Sequence, residues 1–214
     1  MITAVICDLD GLLADTEKHH IRAYRETLAE YGVDLSQEEY IDHWNRNGRG
    51  VAQYIEIHGL DLDAVEVRSQ KAVRYRELVR SEGEAMPGAV SFLRRFQDVK
   101  RLALASNSFR RDIDLVIGKI GVADFFETLV SGGDFERAKP EPEIFLKAAE
   151  FLGVEPPGCV VIEDSQMGVV AAHRAGMKCI AVPNKYTASS DFSKATIMVS
   201  SLDEITVEMV DELV

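Results

Sequence analysis

Two aspartates one residue apart, Asp8 and Asp10, close the first apolar run of the chain in the segment Asp8-Leu9-Asp10-Gly11. The run before them, Ile2-Thr3-Ala4-Val5-Ile6-Cys7, is short and mostly apolar or β-branched, which predicts a buried parallel strand. Side chains alternate along a strand, so the two carboxylates point the same way if the chain stays extended. Held that close in a partly buried place, they repel unless a cation lies between them. A hard divalent ion with oxygen ligands, Mg²⁺ above all, resolves the conflict. Taken alone, Asp-x-Asp-Gly also reads as a solvated turn.

A second acid pair makes the turn the poorer reading. Gly158-Cys159-Val160-Val161-Ile162 predicts another buried strand, closed by Glu163-Asp164 before Ser165. The helix expected over 165–175 begins Ser-Gln-Met-Gly and stops at Gly176. Between the two acidic strand ends, Arg101-Leu102-Ala103-Leu104-Ala105 runs into Ser106-Asn107-Ser108, and a later loop carries Lys139-Pro140-Glu141-Pro142. Acid pair, hydroxyl, lysine, acid pair is an order suited to moving a phosphoryl group. That chemistry needs an in-line nucleophile, neutralisation of the phosphoryl oxygens and a proton for the leaving group.

The elements that position these residues follow from periodicity. From Gly88 on, helical stretches at 88–98, 109–120, 141–152 and 165–175 alternate with strands at 101–106, 127–131, 159–163 and 178–182, then a strand at 196–199 and a short helix from about Leu202. This alternation specifies an α/β fold, a Rossmann-like parallel sheet covered on both faces. Ligands bind such sheets at the carboxyl ends of the strands, where the four motif segments lie. Residues 15–82 break the pattern. Thr16–Tyr31, Gln37–Trp44, Val51–His58 and Leu62–Ser81 read as four helices with no strong strand between them.

The motif set Asp-x-Asp-Gly-x-x-x-Asp-Thr, strand-Ser, Lys-Pro and Glu-Asp-Ser-x-x-Gly closely resembles the haloacid dehalogenase superfamily, in its phosphatase and β-phosphoglucomutase-like branch. The resemblance runs from Ile2 to about Val199. It implies a core of residues 1–14 and 83–214 interrupted by a small all-helical cap domain over 15–82, with hinges near Leu13–Glu17 and Glu82–Pro87. In that family's pattern Asp8 is the nucleophile. Asp10 is the acid for the departing alcohol and the base for the incoming water, and lends its backbone carbonyl to the metal. Asp164 is the second metal carboxylate, and Glu163 binds the ion directly or holds one of its waters. Ser106, with the amide of Asn107, makes an anion pocket where strand passes into helix, although a plain helix N-cap serine fits the same place. Lys139 pairs with Asp8 and a phosphate oxygen as a compact point charge.

Three cap residues extend the expectation to the substrate. Arg49, in the Asn47-Gly48-Arg49-Gly50 turn, and His20, early on the first cap helix, occupy positions at which β-phosphoglucomutase-like proteins bind the distal phosphate and gate the acid/base residue. For His20 an ordinary helix-surface histidine is equally simple. Lys71 on the last cap helix could reach the same phosphate, but a solvated lysine is the simpler reading. The glycine expected three residues before Arg49 is Arg46 here, and Trp44 and Asn47 give the loop an unusual composition. These departures favour a Mg²⁺-dependent phosphatase of a small phosphorylated metabolite, a sugar or polyol phosphate, over a sugar phosphomutase. A hydrolytic dehalogenase is more distant, because that branch lacks the Asp10 role. A non-catalytic phospho-ligand-binding protein is disfavoured by the intact set of Asp8, Asp10, Lys139 and Asp164.

Bulk properties bound the partners. Twenty-four basic and 36 acidic residues give a net charge of −12, which argues against nucleic acid, whose binding relies on a basic face. Cys7, Cys159 and Cys179 fall in apolar runs without a Cys-x-x-Cys pair, consistent with buried reduced thiols in a cytoplasm. No stretch reaches membrane-spanning length, the N-terminal apolar run is too short for a signal peptide, and no obligate protein partner is evident.

Overall fold

Ala4, Val5, Ile6 and Cys7 are each fully buried, and so are Cys159 through Glu163. Strands that are apolar on both faces need cover on both faces, which places them at the middle of a parallel sheet. The structure is a computed structural model that describes residues 1–213. Its sheet has six parallel strands in the order β3-β2-β1-β4-β5-β6, where β1 is Ala4–Cys7, β2 Arg101–Ser106, β3 Thr128–Ser131, β4 Cys159–Glu163, β5 Lys178–Ala181 and β6 Ile197–Met198. The chain winds from β1 outward through β2 and β3, then crosses to β4 and continues the other way. The switch point therefore lies between β1 and β4, the place where ligands bind such sheets. Cys7 pairs in register with Leu104 on one side and Ile162 on the other, so Asp8 leaves the sheet level with Ala105 and Glu163.

Two apolar layers cover the sheet. On one face Val5, Leu102, Leu104, Val160 and Ile162 pack against Phe92 and Phe96 of a helix at Ala89–Phe96 and Ile113 and Val116 of a helix at Arg110–Ile120. On the other, Ala4, Ile6, Ala103 and Val161 meet Phe145 and Ala148 of a helix at Glu143–Leu152 and Val169 and Ala172 of a helix at Gln166–Arg174. In chain order these four are α5 to α8.

Between β1 and α5 the regular elements are all helical: α1 (Glu17–Ala29), α2 (Gln37–Tyr40), α3 (Val51–Ile57) and α4 (Ala64–Glu82). This insert has its own apolar cluster, which includes Tyr24, Leu28, Tyr40, Tyr54 and Val67. Its two connections to the sheet run side by side: Asp15 donates its N–H to Glu84 O at 3.1 Å, and Met86 to Leu13 O at 2.9 Å.

The structure differs from the periodicity reading in two places. The expected helix over Gln37–Trp44 is α-helical only to Tyr40 and widens into a π-helical turn over Ile41–Arg46. The wider turn brings Trp44 flat against Tyr40, with ring centroids 4.9 Å apart and planes 12° from parallel, and against Tyr24 and Tyr54. The aromatic packing outweighs the geometry of a regular turn. At the other end Leu202–Glu204 forms a single 3-10 turn, and the helix (α9, Val207–Asp211) starts where Thr206 accepts the Met209 N–H.

The three cysteines are free and buried, and burial pushes the Cys159 thiol up to about 11. Among the described residues no helix is long and apolar enough to cross a membrane.

Candidate active site

Four strand ends converge at the switch point. Asp8 follows β1, Ser106 ends β2, Glu163 ends β4 with Asp164 behind it, and Lys139 arrives from the loop after β3, ahead of a cis bond to Pro140. Lys139 is 7% exposed and its ammonium donates to Asp8 Oδ1 at 2.5 Å, Glu163 Oε1 at 2.7 Å and Ala105 O at 2.9 Å. Its three protons are thereby used, which fixes a flexible side chain as a rigid charge. Asn107 holds the loop from outside by accepting the Lys139 N–H at 3.1 Å.

Asp8, Glu163 and Asp164 each offer a carboxylate oxygen, all within 4.8 Å of one another and all buried. Burial pushes Asp8 up to about 8; Lys139 pulls against it, while Glu163 and Asp10 push the same way as burial. Asp164 is raised well above the usual carboxylate range, first by burial and then by the charges of Glu163 and Asp8. Burial would lower Lys139, but Asp8 and Glu163 outweigh it and raise it. One ammonium beside three buried carboxylates cannot balance them all, so the remainder must be neutralised by protons, as the raised Asp8 and Asp164 show, or by a cation. Oxygen ligands of this kind could hold a hard divalent cation such as Mg²⁺.

Neighbouring groups assign the carboxylates different duties. Both oxygens of Glu163 are engaged, one by Lys139 and the other by the N–H and hydroxyl of Ser165 at 3.0 and 2.9 Å. It is fully buried under the first turn of α8, where a Cβ at Gly168 would lie 1.8 Å from its Oε1. The glycine of Glu-Asp-Ser-x-x-Gly is thus a packing requirement of that carboxylate. Asp164 instead has one oxygen bonded, accepting from Asn184 Nδ2 at 2.7 Å.

Asp10 points away from this cluster. Its Oδ1 accepts from Thr16 Oγ1 at 2.6 Å and Tyr75 OH at 3.4 Å; its Oδ2 accepts from Ser108 Oγ at 2.7 Å and Ser106 Oγ at 3.1 Å. Burial would raise its pKa, but the bond and charge of His20, with Thr16 and Ser108, hold it well below the usual carboxylate range. The plain N-cap reading of Ser106 fails, because α6 begins at Arg110 with Phe109 at the capping position. Ser106 serves the turn differently, accepting the Ser108 N–H at 3.1 Å.

His20 and Lys71 lie behind Asp10 rather than in the cleft. Neither lines the cleft. The packing of α1 on α4 turns both inward: His20 stacks on Tyr75 with centroids 4.1 Å apart, and Lys71, far from solvated, is 9% exposed. Lys71 Nζ lies 2.5 Å from His20 Nδ1, and His20 Nε2 lies 3.5 Å from Asp10 Oδ1. With Nδ1 accepting from the lysine, the ring proton sits on Nε2, facing Asp10. Burial brings Lys71 down to about 8, with Asp10 pulling the other way.

Asp8, Asp10, Ser106, Asn107, Lys139 and Asp164 form the floor of a cleft of about 260 Å³, and Trp44 and Arg49 of the insert form its roof. Arg49 is exposed, and among the described residues its side chain makes no ion pair. A larger hollow of about 540 Å³ on the outer face of α1, near Lys18, Arg22 and Arg25, holds none of the motif residues and is not the site. Sequence reasoning missed Ser108, Tyr75 and Asn184. Asn184 lies just past the carboxyl end of β5, so the strand-end rule applied to every strand would have found it.

Residues 5–182 match the haloacid dehalogenase-like hydrolase family. Fructose-1-phosphate phosphatase YqaB of Escherichia coli is 30% identical over 83% of this chain and 95% of its own length. The structure of CbbY from Rhodobacter sphaeroides in complex with xylulose-(1,5)bisphosphate superposes with a TM-score of 0.85 at 28% identity, covering 95% of this chain and 96% of that one. The β-phosphoglucomutase of Clostridium difficile gives 0.83 at 27% identity over 100% and 97%. With a match spanning the sheet, the insert and all four motif segments, the chain belongs to the haloacid dehalogenase-like hydrolase family.

Proposed function

We propose that the chain is a Mg²⁺-dependent phosphatase that hydrolyses a small phosphorylated metabolite, a sugar or polyol phosphate, through an aspartyl-phosphate on Asp8. The observation that carries this is the trio of buried carboxylates at the switch point, two of which, Asp8 and Glu163, share the Lys139 ammonium. Asp8 and Asp164 would hold the ion, with Glu163 fixing Lys139 beside them. The ion would supply charge neutralisation between a carboxylate nucleophile and an anionic phosphate.

The protein's own groups then divide the displacement into two steps. Asp8 Oδ attacks phosphorus, the ester P–O bond breaks, and Asp10 delivers a proton to the departing alkoxide. Water then attacks the same phosphorus, gives its proton to Asp10, and the Asp8–phosphorus bond breaks. The donors around Asp10 favour its ionised form, which suits the second step. For the first it needs a proton, and a relay in which Lys71 gives one to His20 Nδ1 as His20 Nε2 gives one to Asp10 would supply it with the ring left neutral. Ser106 and Asn107 receive the phosphoryl oxygens, with the Lys139 ammonium as the positive charge beside them. The helical insert over 15–82 acts as a lid turning on its paired connections, excluding the bulk water that would weaken every charge interaction beneath it.

Arg49 in the roof and the sugar phosphates named for the relatives support a substrate with a second anionic or polar group far from the reacting phosphorus. The same cation could grip the second phosphate of a bisphosphate, which is the mutase reading. Arg49→Ala should act by substrate. With a small aryl phosphate kcat/KM should change little. With a preferred substrate bearing a second anionic group it should fall ~10–100-fold, the ~1.4–2.8 kcal/mol of a charge-assisted contact in a closed site. Equal losses on every substrate would make Arg49 a lid-folding residue instead.

Phosphate release from a generic aryl phosphate tests the function itself. It should require Mg²⁺, stop with EDTA and return when Mg²⁺ is restored. No release, together with conversion of β-glucose 1-phosphate to glucose 6-phosphate under a bisphosphate primer, would replace the phosphatase by the mutase.

A further inference from the structure

The loop after β5 touches both halves of the molecule. At its base, Asn184 Nδ2 donates to Asp164 Oδ2 at 2.7 Å and to Gly11 O at 3.0 Å. Its Oδ1 accepts the Tyr186 N–H at 2.7 Å, and its own N–H goes to Thr187 Oγ1 at 3.0 Å. With both ends of the amide engaged, only one orientation satisfies all its partners, and that orientation presents a donor to Asp164. Gly11 leaves the space for it: at φ +84° it has no side chain, and a Cβ there would lie 2.5 Å from Asp164 Oδ2 and 2.7 Å from Asn184 Nδ2.

At its far end the same loop belongs to the insert. Tyr186 is 8% exposed and packs in the insert's apolar cluster with Ile21 and Tyr24, not in either layer of the sheet. Ser189 Oγ accepts from Arg46 Nη2 of the insert at 2.8 Å. A second seam lies alongside, where a Cβ at Gly48 of the insert would come within 2.4 Å of Met167 on α8.

We infer that Asn184 is the positioning residue for Asp164, and that the loop over 183–191 couples seating of the helical insert to that carboxylate. The inference rests on the metal site proposed above. Asp164 stands beside Asp8 and Glu163, whose charges repel it; a donor that grips one oxygen keeps the other turned toward Asp8 rather than away. Tyr186 keeps the loop in place only while the insert's cluster encloses it. Lifting the insert removes that enclosure and frees Asn184 from its one satisfying orientation. A metal ion is then held more tightly under a closed insert than under an open one, without any residue of the insert touching it.

Titration calorimetry of the metal-free protein with Mg²⁺ alone reads this without turnover. Groups that orient metal ligands from behind contribute roughly 10–100-fold in affinity, so Asn184→Ala should bind Mg²⁺ at least ~10-fold more weakly with its circular dichroism unchanged. Tyr186→Leu should weaken Mg²⁺ by a few fold in the wild-type background and by nothing further in Asn184→Ala, because the loop acts through Asn184. If Tyr186→Leu does not fold, Arg46→Ala makes the same comparison with a loss of about 2-fold, appropriate to one exposed hydrogen bond. Wild-type protein that takes up no Mg²⁺ would remove the metal site itself. Wild-type binding with an unaffected Asn184→Ala would overturn only the positioning role. Losses of equal size in both backgrounds would overturn the coupling.

Discussion

Asp8→Asn is expected to abolish turnover while leaving the fold intact. The side chain keeps its shape, but an amide oxygen cannot attack phosphorus to give an acyl phosphate, and one metal-binding charge is lost. Residual kcat above about a hundredth of wild type, a barrier loss under ~2.7 kcal/mol, would exclude the covalent route. The variant also has a stability signature. In the metal-free fold burial pushes the Asp8 carboxyl up to about 8, from 3.8 as its ordinary value. The folded state therefore holds a proton that the unfolded chain has released. Stability from this group is full below the unfolded value and is lost as pH rises toward 8. Wild-type metal-free protein should lose thermal stability across that window, and Asp8→Asn should show a shallower slope and a higher melting temperature near pH 8. Thermal melts at a series of pH values in EDTA measure both.

Lys139→Met should be the most damaging single change to the site. The methionine fills similar volume but leaves Asp8 and Glu163 facing each other with no cation, and Glu163 is fully buried. Breaking a buried pair from one side costs ~3–5 kcal/mol, because the remaining charge has no partner. The loss should be greatest at high pH, where the carboxylates cannot protonate to relieve it. Activity should fall by more than ~100-fold as well, since the fixed positive charge beside Asp8 and the transferring group is gone. Melting curves and steady-state rates on the same preparation check the two effects together. A variant that melts like wild type would mean that the carboxylates share a proton and need no ammonium.

The sheet was legible in the sequence because its central strands are buried on both faces. Arg101–Ser106 and Cys159–Glu163 lie at the bounds expected from their apolar runs, each ended by the polar residue that enters the site. A parallel strand of this kind has no alternation to blur, and its first polar residue marks where the sheet stops. The floor of the cleft was legible for the same reason, as strand ends bring Asp8, Ser106 and Asp164 to one place. The insert was legible only as helices. Helical spacing gives the apolar face but not which neighbour it meets, so spacing did not turn Lys71 into the α1–α4 seam behind Asp10, and for His20 only the family resemblance pointed toward the acid/base residue. Nor does spacing foresee the π-turn at Ile41–Arg46, which follows from ring packing between Tyr40 and Trp44. Asn184 was within reach of the strand-end rule, just past β5, but its particular role comes only from the folded contact with Asp164.

The central claim is a phosphoryl group carried on Asp8, and Asp10→Asn is the variant that exposes it. An aryl phosphate with a good leaving group needs no acid for the first step, so this variant should still accept the phosphoryl group. Lacking the base for water, it should fail to release it. Mixed with Mg²⁺ and such a substrate and quenched in acid, it should release one equivalent of phenol in a burst. The peptide containing Asp8 should gain the mass of one phosphoryl group, which hydroxylamine removes. Steady turnover with no burst and no modified peptide, or a phosphoryl group found on any other residue, would contradict the account.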